Sequence, residues 1–286
     1  MGEGINFIKV KLISVSLVMY CNELEELKIA INCCLQSELV GKIYLVDNSP
    51  ADDLQVLREL DINRIVYLFQ NANLGFGRAH NVGIKLAAKE GYSYHLILNP
   101  DVEFEMNVLQ ELHSYMKANL GCGMVTPKVY YKNGDLQYLC KKLPSAFQMF
   151  GKRIPIKFLQ NYLNKQLELR HFDYNRTMNI PYLSGCFMFC RMEAFKKVGL
   201  FDDRYFMYME DLDLSRRFHE KYETIFYPKV SIIHGFRSES KANRKLLVAL
   251  IVSAIKYYTK YGWFFDQERK QINKKLLKRI SELNKA

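Results

Sequence analysis

Two groups of carboxylates carry the chemistry open to this sequence. The first is Asp101, in the stretch YHLILNPDVE from Tyr94 to Glu103, where an apolar run from Leu96 to Leu98 breaks into Asn99, Pro100 and Asp101. Such a run is how a buried parallel strand delivers polar groups to the carboxyl edge of a sheet, where open α/β sheets bind ligands. Pro100 removes a backbone donor and stops the strand. Asp101 then offers a hard oxygen ligand to a hydrated divalent cation, although Asn, Pro and Asp are also favoured turn formers. The second group is Glu210, Asp211 and Asp213, which open the helical pattern in FDDRYFMYMEDLDLSRRFHEKYET. Acids in a first helical turn gain about 0.3–1 kcal/mol each from the helix dipole. The apolar run Tyr205 to Met209 in front of them adds a wall that raises a carboxylate pKa toward the range of a general base. His234, after the strand pattern Val230 to Ile233, is a candidate second ligand for the cation, or a structural histidine.

Two further strand ends converge on the same edge. Asp47 closes KIYLV in Asp47-Asn48-Ser49-Pro50, either as a turn or as an acceptor for a nucleobase or ribose. Residues 71–81 place Gly75, Gly77 and Arg78 at a helix start, where glycine lets backbone approach a phosphate and the helix N-terminus favours an anion. The spacing is neither GxGxxG nor a P-loop, so neither a dinucleotide fingerprint nor an NTPase is supported. Gly77 and Gly83 read equally as packing glycines.

The elements that must position these groups follow from periodicity. Strands are expected over 11–20, 42–46 and 64–69, with helices over 23–35 (capped by Asn22), over 51–60, and after the turn at Gly75. The opening stretch is the fourth strand. This alternation implies an α/β fold with a mostly parallel central sheet and right-handed crossovers. Beyond it come a helix over 106–118, a strand pattern from Cys122 to Tyr131 and a hairpin turn at Asn133-Gly134. Residues 139–177, basic and aromatic, are expected to be an irregular insertion or lid. Tyr182 to Arg191 reads as a buried strand, in which Ser184-Gly185 permits close backbone approach. A short helix follows over 192–198, then strands over 224–227 and 230–233.

Composition sets the limits. The 286 residues and 33.6 kDa suit one large domain with an appendage. No apolar run reaches the roughly 18 residues that span a bilayer, and the N-terminal run Leu12 to Tyr20 lacks a signal-peptide cleavage site. Seven cysteines without metal spacing point to reduced thiols in the cytoplasm. From Arg237 to Ala286 thirteen Lys or Arg face four Asp or Glu, a net +9, which leaves +2 of the total +11 for everything before it. The basicity belongs to a tail. Within it LLVALIVSAIKYYTKYGWFF and ERKQINKKLLKRI read as a pair of amphipathic helices. They are expected to contact an anionic membrane through 241–286, or to pack on the catalytic domain or a second subunit. No nucleic-acid recognition motif accompanies the charge.

Taken together, ISVSLVMYCNE, LVDNSP, NANLGFGRAHNVGI, LILNPDVEF, LSGCFMFCRMEAFKKVGLFDDRYFMYMEDLDLSRRF and YPKVSIIH resemble the inverting family-2 glycosyltransferases of the GT-A fold. The rhamnosyltransferase-like branch of bacterial surface polysaccharide synthesis is the nearest likeness, over about residues 11 to 236. The resemblance implies a Rossmann-like catalytic domain over 1–236, with a nucleotide-binding half to about 104 and an acceptor half over 105–236. The helical tail is then 237–286. It implies Asp211 as catalytic base beside Glu210. Asn99 and Asp101 occupy the DxD position, with Asp101 and His234 as ligands of Mg²⁺ or Mn²⁺. The nucleotide-sugar donor is expected against Tyr20, Asn22, Asp47, Asn73, Gly75 and Arg78, and the acceptor against Ser184 and Gly185. Arg217 matches a family arginine, structural or phosphate-facing. dTDP-L-rhamnose is the favoured donor, with UDP-sugars behind it, and a glycan or lipid-linked glycan is the acceptor, at the inner face of the cell membrane. A nucleotidyltransferase would need a glycine- and basic-rich signature near the N-terminus, which residues 10–25 lack. A non-catalytic membrane-surface scaffold of the same fold is the remaining alternative.

Overall fold

Four parallel strands build the part of the sheet that ends at Asp47 and Asp101. The computed structural model describes residues 12–151, 154–235 and 244–284. β1 (Ile13–Met19), β2 (Val40–Asp47), β3 (Ile65–Phe69) and β4 (Tyr94–Leu98) lie in the order β3-β2-β1-β4. Their registers pair Met19 with Asp47, Asp47 with Phe69, and Leu17 with Leu98, so the strands stop at one common edge. α1 (Leu24–Leu35) and α2 (Phe76–Lys89) return the chain between strands.

Alternation along β1 sorts the two faces. Ile13, Val15, Leu17 and Met19 join a core with Leu27 and Ile31 of α1. Ser14 and Ser16 turn the other way. There Ser16 Oγ lies 2.7 Å from His80 Nδ1 and 2.8 Å from His95 Nε2, and Ser14 Oγ lies 2.8 Å from His95 Nδ1. Burial pushes both imidazoles down, His95 to about 3, so the pair is neutral inside the sheet.

The rest of the sheet is mixed. β8 (Phe187–Arg191) runs antiparallel to β4, and β6 (Cys122–Tyr130) runs antiparallel to β8. β9 (Glu223–His234) runs parallel to β6 and carries the short β7 (Met178–Asn179) on its first half. β5 (Val102–Phe104) closes the sheet antiparallel to β9, in the register Val102 to His234. That register brings two ends distant in sequence together: Gly235 N donates to Asp101 O at 2.9 Å. α3 (Asn107–Ala118), α6 (Met192–Val198) and α7 (Glu210–Lys221) cover the faces.

Several expectations need correction. Residues 51–60 form only a short 3₁₀ helix, Gln55–Leu60, with Leu57 its one buried side chain, too little apolar face to hold an α-helix. Asn22 does not cap α1. Glu23 sits at that position without a side-chain bond, and Asn22 Oδ1 instead accepts from Tyr20 N at 2.9 Å. The strand expected over 182–191 begins only at Phe187, leaving Ser184-Gly185 in a loop against α7. The strands 224–227 and 230–233 are one strand. Its pairing with β6 jumps from Tyr227 to Ser231, which absorbs Pro228 in an irregularity. The insertion at 139–177 is not irregular: it holds α4 (Ala146–Gly151) and α5 (Lys157–Leu167). α4 opens with a capping box, in which Ser145 N donates to Gln148 Oε1 at 3.0 Å and Gln148 N donates to Ser145 Oγ at 3.2 Å.

Residues 237–243 and 285–286 of the tail lie outside the described residues; from Arg244 it forms two helices, α8 (Arg244–Tyr261) and α9 (Gln267–Leu283). Ala254, Tyr257 and Tyr258 of α8 pack with Leu143, Tyr205, Met209 and Leu212, and Leu276 and Ile280 of α9 join a second core that includes Leu214 and Phe218 of α7. Charge fastens them. Arg216 of α7, 1% exposed, makes a bidentate pair with Asp266 at 2.6 and 2.9 Å. Buried Asp213 accepts from Arg217 Nε at 2.8 Å, Lys260 Nζ at 2.6 Å and Tyr261 OH at 2.9 Å. Of the alternatives for the tail, packing on the catalytic body is what the described residues show. Among them no helix is long and apolar enough to cross a membrane.

Candidate active site

The carboxyl edge of β1, β2 and β4 opens into a cleft of about 960 Å³. Asp101, His234, Glu210 and Asp211 all line it. Strand ends and one helix start are what bring them there. Asp101 stands between β4 and β5, and His234 is the last residue of β9, paired beside it. Asp101 Oδ1 lies 3.4 Å from His234 Nε2, and Asn99 Nδ2 lies 3.3 Å from the same nitrogen.

The acid pair sits at the N-terminus of α7. The helix is entered through Tyr208 and Met209, both left-handed at φ 68° and 67°, a backbone conformation that non-glycine residues adopt at a cost. That entry turns Glu210 inward. It is buried, and its Oε2 has no hydrogen-bond partner. Asp211 is better supplied: Oδ1 accepts from Leu212 N at 2.8 Å, and Oδ2 accepts from Gly185 N at 3.2 Å and Tyr182 OH at 3.3 Å. Burial and the adjacent Asp211 push the Glu210 carboxyl up to about 8. Burial also raises Asp211, against the pull of the Lys141 ammonium and its donors. The two environments thus split the roles: Glu210 keeps the proton and Asp211 keeps the charge. Gly185 lies so close that a Cβ there would stand 3.1 Å from Asp211 Cβ.

Tyr20, Asn22, Asn48, Asn73, Gly75 and Phe76 also line the cleft. Asn73 Oδ1 accepts from Gly75 N at 3.0 Å, and Asn48 Nδ2 donates to Gly75 O at 3.3 Å. Gly75 has φ +79°, and a Cβ on it would fall onto the Phe206 carbonyl oxygen. Gly77 packs on Phe201 and Gly83 on Ser16, so these two are packing glycines.

Two expected donor residues do not line the cleft. Asp47 is fully buried; its Oδ2 accepts from Tyr67 OH at 2.6 Å and its Oδ1 from Ser49 N at 2.8 Å, so it holds the turn that presents Asn48. Arg78 is exposed and donates from Nε to Asp203 O at 2.8 Å. Arg217 is structural, bonded to Asp213 and to the carbonyls of Val198 and Leu200 at 2.7 Å each. Asp213 faces the tail, not the cleft. Cleft residues that the sequence did not reveal are Asn48, Gln137, Lys141 and Tyr182. Lys141 places its ammonium 5.2 Å from the Tyr182 ring centroid.

Residues 16–199 match the family model described as glycosyl transferase family 2. The chain belongs to that family. It is a glycosyltransferase, and its curated relatives include rhamnosyltransferases. One is the N-acetylglucosaminyl-diphospho-decaprenol L-rhamnosyltransferase of Mycobacterium tuberculosis, 26% identical over 217 residues, covering 70% of this chain and 68% of the relative. Another is the rhamnosyltransferase WbbL of Escherichia coli K12, 27% identical over 153 residues, 50% of this chain and 53% of that one. Among solved structures, GalNAc-T7 with UDP, GalNAc and Mn²⁺ shares the fold at a TM-score of 0.64 and 16% identity, covering 88% of this chain. The chain spans about half the length of WbbL and 50% of the GalNAc-T7 chain. The GT-A fold of the family is thus the fold of this protein; helices flank its sheet, which is mixed rather than mostly parallel, because β5, β7 and β8 pair antiparallel with their neighbours.

The residues at the Asp101 end fit a divalent cation. One carboxylate oxygen and one imidazole nitrogen converge there, a set that suits Mn²⁺ or Mg²⁺ completed by phosphate oxygens and water. Among the described residues no group of three or more His, Cys, Asp or Glu is placed to hold a metal. Protein ligands alone therefore do not complete such a site.

Proposed function

We propose that this family-2 enzyme is an inverting, cation-dependent glycosyltransferase. It moves a sugar, with dTDP-L-rhamnose the favoured donor, onto a hydroxyl of a glycan or lipid-linked glycan during O-antigen or capsule synthesis. The observation that carries the reading is that one cleft is lined both by Asp101 beside His234 and by Asp211 with its three donors. The rhamnosyltransferase relatives favour the donor and a lipid-linked acceptor.

In this reading the nucleoside diphosphate lies along Asn48, Asn73 and Gly75, with its phosphates toward Asn99 and Asp101. Mg²⁺ or Mn²⁺ held by Asp101 and His234 would neutralise the charge of the leaving diphosphate. Ser184 and Gly185 border the acceptor. Asp211 takes the proton of the acceptor hydroxyl as that oxygen bonds to the anomeric carbon and the bond from that carbon to the phosphate oxygen breaks. A single displacement of this kind inverts the anomeric centre. Leu212 N, Gly185 N and Tyr182 OH hold Asp211 charged and aimed, and protonated Glu210 adds no second charge beside it.

Membrane contact belongs to the same reading. Val248, Ile251, Val252 and Ile255 form an exposed stripe at helical spacing on α8, followed by exposed Phe264 and Phe265. The lysines of α9 supply positive charge for an anionic surface. Phe264→Ser with Phe265→Ser should weaken co-sedimentation with anionic vesicles; undiminished binding excludes this surface.

A thermal-shift panel of UDP, dTDP and GDP with and without Mn²⁺ tests the donor site. Stabilisation by dTDP or UDP that requires Mn²⁺ is the expected result, and dTDP alone favours the rhamnosyl donor. No stabilisation by any nucleotide under any metal condition overturns the reading.

A further inference from the structure

Gln137 follows the Asn133-Gly134 turn and is 2% exposed. Its backbone N donates to Val129 O at 2.9 Å, which fixes the residue against β6. Its side-chain Nε2 donates to His234 O at 2.8 Å and to Tyr130 O at 3.3 Å. Two carbonyl acceptors can be met only by the amide NH₂, so the opposite end, Oε1, faces His234 Nδ1 at 3.0 Å. An amide oxygen only accepts. Nδ1 therefore carries a proton, and in the neutral ring Nε2 keeps its lone pair. That nitrogen is the one 3.4 Å from Asp101 Oδ1, and in this state it accepts from Asn99 Nδ2 at 3.3 Å.

We propose that Gln137 is the positioning residue of the cation end. It fixes His234 in the Nδ1–H tautomer and holds the ring so that the Nε2 lone pair points at the space beside Asp101. The amide acts at both ends of His234, gripping its carbonyl and its ring together, so backbone and side chain cannot turn independently. The inference rests on the reading of Asp101 and His234 as cation ligands. Groups that orient a ligating histidine in this way change metal affinity without touching the metal.

Two measurements on the full chain test it. Long-range ¹H–¹⁵N NMR of cation-free, histidine-labelled protein reads the tautomer directly. His234 is expected as Nδ1–H in the native chain and as a mixture in Gln137→Leu. Mn²⁺ binding with UDP or dTDP present, followed by EPR of the free ion, should weaken about 10–100-fold in Gln137→Leu. Gln137→Glu keeps an acceptor for Nδ1–H but sets a carboxylate oxygen against the His234 and Tyr130 carbonyls, so it should keep the Nδ1–H tautomer while losing the grip on the backbone, which separates the two parts of the role. A merely structural role would lower the melting temperature of both variants without separating them by tautomer or affinity. An Nε2–H tautomer in the native chain, or native Mn²⁺ affinity in a folded Gln137→Leu, overturns the proposal. A native chain that binds no Mn²⁺ with either nucleotide sinks the cation reading and this proposal with it. That failure is told apart because the tautomer result then stands unchanged.

Discussion

At the Asp101 end of the cleft a carboxylate shares its space with an imidazole and an amide; at the Asp211 end a carboxylate shares it with another carboxylate. In the first arrangement the imidazole Nδ1 faces the Gln137 amide oxygen, and Nε2 faces the carboxylate together with the Asn99 amide. The second has one proton for two acids, because burial leaves Glu210 Oε2 unpartnered while three donors serve Asp211. In the proposed reading the same side-chain chemistry serves a cation in one place and a proton in the other, and surroundings make the difference.

Four substitutions probe that contrast. Asp211→Asn should have the largest effect, removing the proton acceptor and lowering transfer by about 10²–10⁴-fold. Nucleotide binding should survive it, so a radiolabelled transfer assay run beside nucleotide titration checks both halves; unchanged turnover would remove Asp211 from the base role. Asp101→Ala comes next, with transfer lowered by roughly 10²-fold and the Mn²⁺ response of nucleotide binding lost. If that response persists, the contrast between the two ends collapses. Tyr182→Phe removes one long hydrogen bond to Asp211, worth about 1 kcal/mol, so transfer should fall roughly fivefold. Loss of a donor to the charged form also raises the Asp211 pKa, so the acid limb of the rate–pH profile should move to higher pH.

Glu210→Gln should have the smallest effect at neutral pH, since an amide imitates the protonated acid. Its signature is in stability. The folded carboxyl keeps its proton to about pH 8, against an ordinary value of 4.5. The folded state therefore binds more protons than the unfolded chain between those values, and native stability should fall as pH rises from 4.5 to 8 and level off above. Melting temperatures across that window should show the decline in the native chain and a shallower one in Glu210→Gln. Parallel curves would show that Glu210 ionises freely and that both ends of the cleft carry full charge.

The pattern of an apolar run ending in an acid is local, which is why Asp101 and Asp211 are legible in the sequence. The four-strand alternation is legible for the same reason: each strand is a short apolar run flanked by turn residues. Gln137 is not, because its role depends on a partner 97 residues away at the end of β9. Asp47 carries the right residue type at a strand end, yet Tyr67 and Ser49, invisible as partners in one dimension, draw its carboxylate away from the cleft lining. The helices of 139–177 have a local signal in Ser145-Ala-Phe-Gln148, a capping box that the basic and aromatic composition around it obscures. Basic residues and apolar spacing in the tail leave membrane, subunit and catalytic body equally open. The Arg216 to Asp266 pair, joining segments 50 residues apart, is what fastens it to the body.

The clasp between α7 and the tail has a consequence for how the protein is made. Glu210 begins a helix whose next turns carry Asp213 and Arg216, and beyond Arg217 and Glu220 on the same helix these buried charges find their partners in the tail, at Lys260, Tyr261 and Asp266. A buried charge without its partner costs several kcal/mol. While those residues are still inside the ribosome, the parallel strands can already pair but the acid helix has nothing to settle against. The order of synthesis therefore delays the enzyme's competence until Asp266 has emerged. A chain released before that point would have its four parallel strands and an α7 without the partners that seat Glu210 and Asp211.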